Sequence, residues 1–243
     1  MARNLRWRSI FFAGVVTAMA GFVDGVGFIH FGGYFLSFMS GNSTRSSASL
    51  MSGDVAGWSM AMGLVGSFVA GVVAATLLSF RAGAFRRPIV MFLSGLLLAG
   101  AAVLGTREEM GIGELGMPGA CLLAAAMGSV NVSYTRSGEV SVGLTYMTGT
   151  LVKFGQHFAG ALITVLSGGK HASSLVAWAP YAVLWSMITL GSVAGVFCYL
   201  HFGLASLWLV AAGMLLWAAL ALSRELRTGK HAPAPSRVRR EIL

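Results

Sequence analysis

Asp24 is the one acid within the long apolar runs of this 243-residue chain, and a carboxylate in hydrocarbon must be paired, protonated or hydrated. Twenty-one residues later stands Arg45, four positions beyond the glycine of Phe38-Met39-Ser40-Gly41-Asn42-Ser43-Thr44-Arg45. A hydroxyl–glycine break inside an apolar segment suits the start of a half-helix, whose free N–H groups and partial positive charge attract anions. With Asn42, Ser43 and Arg45 beside it, that start would be an anion site. The bland alternative is that the Ser and Thr hydroxyls cap the half-helix and satisfy its own backbone. Asp24 and Arg45 are expected to form an ion pair. Such a pair would either hold the interrupted element or serve a ligand or a proton.

The pattern occurs twice. Ala18-Met19-Ala20-Gly21-Phe22-Val23-Asp24 returns as Ala126-Met127-Gly128-Ser129-Val130-Asn131, and the break returns as Tyr146-Met147-Thr148-Gly149-Thr150-Leu151-Val152-Lys153. The second copy keeps the glycine and the cation but replaces Asp24 by Asn131. Lys153 therefore lacks a matching acid: either it sits in a water-filled vestibule or an anionic group supplies the missing charge. His157 lies four residues after Lys153 on the same helical face, where it could relay a proton or simply pack. The candidate solute-binding residues are Asp24, Gly41, Asn42, Ser43, Arg45, Asn131, Thr148, Gly149, Thr150 and Lys153.

The elements that would position these residues belong to a membrane. The chain is 56% hydrophobic and 10% charged, with mean hydropathy +0.77, far from the composition of a soluble domain. Apolar stretches cover about 10–30, 57–80, 88–105, 117–135, 175–200 and 203–223, each close to the ~20 residues that cross a bilayer. Gly21/Gly25 and Gly191/Gly195 have the spacing of closely packed helices, and Pro88, Pro118 and Pro180 fall near helix starts. Met1–Thr17 imitates a signal peptide, but the run continues to Ile29 and contains repeated sequence, so a retained first span is expected. Cys121 and Cys198 fall in apolar spans and imply neither a disulfide framework nor a metal site.

Charge then chooses the topology. If segments 34–52 and 140–167 enter and return, fourteen Lys and Arg lie on one side and only Arg107 on the other. If both segments cross fully, the ratio falls to 11 to 4. The positive-inside rule prefers the first arrangement. The expected fold is all-α, with six transmembrane helices plus two re-entrant or broken half-helix segments, built as two inverted three-helix repeats. Residues 1–9 form a basic cytoplasmic N-terminus, 10–105 the first repeat and 106–116 an external connector. The second repeat covers 117–223, and 224–243 form a basic cytoplasmic tail without fixed structure.

Gly21-Phe22-Val23-Asp24-Gly25, Phe38-Met39-Ser40-Gly41-Asn42 and Tyr146-Met147-Thr148-Gly149-Thr150 together resemble the YoaK-like family of bacterial inner-membrane proteins. The resemblance spans roughly residues 10–223 and implies a multi-pass inner-membrane protein. It supplies no function, and the second break departs from the first in reading Thr-Gly-Thr, without the Asn.

Inverted repeats with interrupted segments are a recurring plan of secondary transporters. The expectation is a transporter or channel for a small, anionic solute; the alternative is a non-transporting scaffold or accessory subunit. No nucleophile–base pair, phosphate-binding glycine loop or metal-ligand spacing is present, so neither an enzyme nor a cofactor is expected. The net charge of +9 is spread over loops as a topological signal, which argues against nucleic acid as a partner. The expected partners are the bilayer and the solute, with homo-oligomerisation left open.

Overall fold

A computed structural model describes residues 7–134, 147–167 and 175–228. Every regular element among them is helical. The α-helices are α1 (Trp7–His30), α2 (Met39–Met51), α3 (Val55–Ser79), α4 (Arg86–Glu109), α5 (Gly116–Asn131), α6 (Met147–Leu166), α7 (Ala179–Phe202) and α8 (Ser206–Thr228). Short 3-10 turns precede α4 and α8 and follow α5. Four stretches are long and apolar enough to cross a membrane: Ile10–His30, Val55–Ser79, Gly83–Glu109 and Ala179–Arg227. The last holds α7 and α8, separated by the turn at Gly203–Ala205. The α5 helix, expected over 117–135, stops at Asn131 after 16 residues, about 24 Å at 1.5 Å per residue.

Local chemistry sets the boundaries. Asp54 caps α3 by accepting the Gly57 N–H at 2.9 Å, and Gly53, at φ +76°, makes the turn out of α2. Pro88, Pro118 and Pro180 all lie in the first turn of their helices, where the missing N–H costs little. The long helices are apolar on every side. Leu77, Leu78, Leu190, Val193 and Leu200 point outward, as lipid solvent allows, while Val16, Val23, Leu64, Leu98, Leu123 and Met214 fill the centre. By contrast α2 carries seven hydroxyl or amide side chains and Arg45 in 13 residues.

Contacts at one end of the bundle fix the helix directions. There the last residue of α1, His30, meets Tyr199 near the end of α7 (Nδ1 to hydroxyl, 3.1 Å) and Glu108 at the end of α4 (3.6 Å). Glu108 also accepts the N–H of Leu115, just before α5, and Glu109 accepts that of Ala205, just before α8, at 3.1 Å. Helices α1, α4 and α7 therefore run toward this end, and α5 and α8 run away from it. The α3 helix runs alongside α5 in the same direction, with Gly63 beside Met117 and Cys121, and Gly71 beside Ala125. Segment 31–54, which links α1 to α3, thus leaves and returns to the same end.

The closest helix pairs use glycine to bring backbones together. A Cβ on Gly21 would lie 2.1 Å from the Ile188 carbonyl oxygen, and one on Gly191 would lie 2.0 Å from that of Ala18. On the other pair, a Cβ on Gly128 would lie 2.0 Å from the Phe68 oxygen and one on Gly71 2.0 Å from the Ala125 oxygen. These are the same contacts made twice. Gly21 and Ala18 precede Gly128 and Ala125 by 107 residues each, and Phe68 and Gly71 precede Ile188 and Gly191 by 120 each. So α1 packs on α7 as α5 packs on α3, and α4 packs on α8.

Candidate functional site

The loop from Phe31 to Phe38 is the centre of the first candidate site. Gly32 and Gly33, at φ +67° and +89°, turn the chain back from α1, which leaves the following amides without a helical partner. Asp24 supplies that partner. Its Oδ1 accepts the N–H groups of Leu36 and Ser37, both at 2.7 Å, and its Oδ2 accepts the Ser37 hydroxyl. From the other side the fully buried Asn42 takes Phe35, accepting its N–H at 3.1 Å and donating to its carbonyl at 2.6 Å. The Tyr34 hydroxyl donates to the Gly57 carbonyl at 3.2 Å, tying the loop to α3. Six hydrogen bonds, one at Tyr34, two at Phe35 and three at Leu36–Ser37, therefore pin the loop between α1, α2 and α3.

Two expectations change here. The Asp24–Arg45 ion pair is not formed. The Arg45 guanidinium lies over the Tyr34 ring, 3.9 Å from its centroid, with Nη1 close to Gly33. A ring face attracts a cation without a carboxylate, and backbone N–H groups satisfy a carboxylate without a cation, so each charge found a neutral partner. The half-helix also begins earlier than expected, at Met39 and not near Asn42 or Ser43. Gly41 sits in the first turn, where the Phe35 and Phe38 rings lie where a Cβ would project.

The hydroxyls of α2 turn inward on their own helix. Ser43 donates to the Met39 carbonyl (3.0 Å), Thr44 to that of Ser40 (3.2 Å), and Ser46 and Ser47 to that of Ser43. This is the self-satisfying pattern expected of a polar helix in an apolar setting. The Asn42→Leu variant leaves both backbone groups of Phe35 unpaired. It is expected to cost about 2–4 kcal/mol and to open the loop to amide hydrogen exchange, which exchange mass spectrometry over 31–38 would read.

The second candidate site is less enclosed. Thr148, Gly149 and Thr150 occupy the first turn of α6, with Thr148 and Lys153 exposed and Thr150 half-buried. His157 stacks on Tyr181 of α7, ring centroids 5.2 Å apart, and Phe154 and Phe158 meet Trp178 edge-on. Asn131 donates to the Met127 carbonyl at 2.8 Å, within α5. The counterpart of the Asp24-held loop, with Arg136, Tyr146 and the first part of segment 140–167, lies outside the described residues, as do Lys170 and the tail from 229. Asp24 is near the end of α1 marked by His30, whereas Asn131 ends α5, which runs away from that end. Asp24 and Asn131 thus lie toward opposite ends of the bundle.

Sequence reasoning did not single out Tyr34, Phe35, Leu36 or Ser37. The signal for them was Gly32-Gly33: a left-handed turn creates unpaired amides, and an apolar run that holds one acid supplies the acceptor. The rim contact of His30 with Glu108 and Tyr199 was also unread, because its members stand 78 and 91 residues apart in sequence.

An all-helical bundle with apolar outer faces and glycine-lined helix contacts defines an all-α membrane protein. Residues 12–221 match a family described as "Protein of unknown function (DUF1275)", and the chain belongs to that family. It is also similar to the UPF0700 transmembrane protein RA0705 of Rhizobium meliloti (strain 1021), at 32% identity over 206 residues, covering 85% of this chain and 83% of the relative. No solved structure matches the chain.

Proposed function

We propose that this protein is a secondary transporter or channel for a small anionic solute in a bacterial inner membrane. In this reading α1, α3, α4, α5, α7 and α8 span the bilayer, and the segments containing α2 and α6 enter and return. Both termini lie in the cytoplasm, and the two halves form an inverted repeat. One observation carries it: repeat-related helices run in opposite directions, and each half bears a cation four residues past a hydroxyl–glycine pair. That arrangement, with half-helix starts on opposite sides of the bilayer, is the plan on which alternating access is built. Arg45 and Lys153 supply the positive charge an anion would meet from either side.

The test is thermal unfolding of the purified full-length protein across a panel of small inorganic and organic anions. A true solute at 100 times its Kd stabilises by about 2.7 kcal/mol, which reads as a rise of several degrees. The rise should shrink in Arg45→Ala and in Lys153→Ala. Anion-dependent stabilisation that persists undiminished in both variants would sink the anion site.

The second reading is a non-transporting scaffold or accessory subunit. It is favoured by the engagement of Asp24 and Asn42 with the 35–37 backbone, which leaves these two side chains serving the loop. It requires that no anion in the panel shift unfolding and that reconstituted vesicles show no uptake.

A further inference from the structure

At the end of the bundle opposite His30, residues of α4, of the turn before it and of α8 line a groove of about 630 Å³. Apolar side chains alone line it, among them Phe85, Ile89, Phe92, Leu215, Ala219 and Leu222. Its mouth is basic. Arg86 and Arg87 stand between the lining residues Phe85 and Pro88, and Arg224 lies two residues past Leu222, its guanidinium 3.9 Å over the Phe12 ring. Arg86 is the unusual member: its Nε is buried and makes no hydrogen bond, and no carboxylate among the described residues pairs with it.

We infer that this groove holds one acyl chain of an anionic phospholipid, with the phosphate seated at Arg86. An apolar slot at headgroup depth, next in sequence to a cation whose buried Nε makes no hydrogen bond, matches a lipid in both its parts. Charge argues against the other occupants. The chain's own last residues carry Lys230, Arg237, Arg239 and Arg240, and a second copy docked by this face would bring like charges together. The inference concerns the face between α4 and α8 and does not depend on transport.

The experiment is native mass spectrometry and thermal unfolding of the delipidated full-length protein with added phosphatidylglycerol, phosphatidylcholine or glycerol phosphate. Phosphatidylglycerol is expected to bind roughly tenfold more tightly than phosphatidylcholine and to raise the unfolding temperature further. Arg86→Gln should erase that preference and Ala219→Phe, which fills the slot, should weaken both lipids, while Arg107→Gln at the opposite end changes neither. Equal binding of the two lipids by the unmodified protein overturns the proposal without reference to any variant. So does a preference that survives Arg86→Gln. Stabilisation by glycerol phosphate alone would show a headgroup site without the groove, and a lipid-independent dimer would place a second copy there instead; either outcome rejects the inference.

Discussion

The Asp24→Ala variant should lose most of its stability, while Asp24→Asn should retain most of it. In the unmodified protein one carboxylate serves three donors: the N–H groups of Leu36 and Ser37 and the Ser37 hydroxyl. Leu36 and Ser37 are 0% and 4% exposed, so water cannot replace the lost acceptor. Each buried donor left unmade costs about 1–3 kcal/mol, and the sum for three is roughly 3–9 kcal/mol, a large part of what a domain has. Asparagine keeps one carbonyl oxygen for the two backbone donors and can donate to the Ser37 hydroxyl, so its cost should stay near 1–2 kcal/mol. Unfolding temperature in detergent would read both values. A normal unfolding temperature for Asp24→Ala would mean that Asp24 does not hold the 36–37 backbone in place. Uptake lost in a well-folded Asp24→Asn would assign the charge itself to transport.

A single methyl group at Gly191 or Gly71 is expected to do comparable damage. The added Cβ would lie 2.0 Å from a main-chain carbonyl oxygen, of Ala18 or Ala125 respectively, and a backbone atom cannot rotate away. The helices must separate, losing contacts along their length, and the cost should exceed the ~1–3 kcal/mol of ordinary overpacking. Gly155 and Gly160 on α6 provide the control, because nothing lies within 4 Å of a Cβ at either. Their alanine variants should be neutral or stabilising by up to about 1 kcal/mol, as helix propensity predicts. Thermal unfolding of the four alanine variants separates the two classes. Equal stability across all four would mean that the α1–α7 and α3–α5 contacts are looser than those distances require.

Much of the fold could be read from composition and spacing. The apolar stretches became helices, and Gly21/Gly25 and Gly191/Gly195 proved to be contact glycines, because small residues four apart have few other uses in an apolar helix. What spacing could not reveal was the partner: nothing in either motif says that α1 meets α7 and not α3. The candidate site was half readable. Asp24 and Asn42 stand out as polar residues in apolar surroundings, but their partners are main-chain groups, which every residue carries and no sequence pattern marks. Pairing Arg45 with Asp24 fails because counting charges ignores aromatic faces, and Tyr34 is the face that Arg45 meets. The expected start of α2 falls too late because Gly41 looks like a break, whereas a glycine in a first turn is readily accommodated.

The crossed pairing of α1 with α7 and of α5 with α3 has a mechanical consequence. Each half of the chain lends its first helix to the other half, so the N-terminal and C-terminal halves are interlocked and cannot rock apart as two blocks. A large opening motion would have to divide the molecule along a different line, between the α1–α7 pair and the α3–α5 pair. A half-chain made alone would expose a glycine-lined stripe with no helix to receive it, whereas two halves cut in the 110–115 connector and made together should find each other.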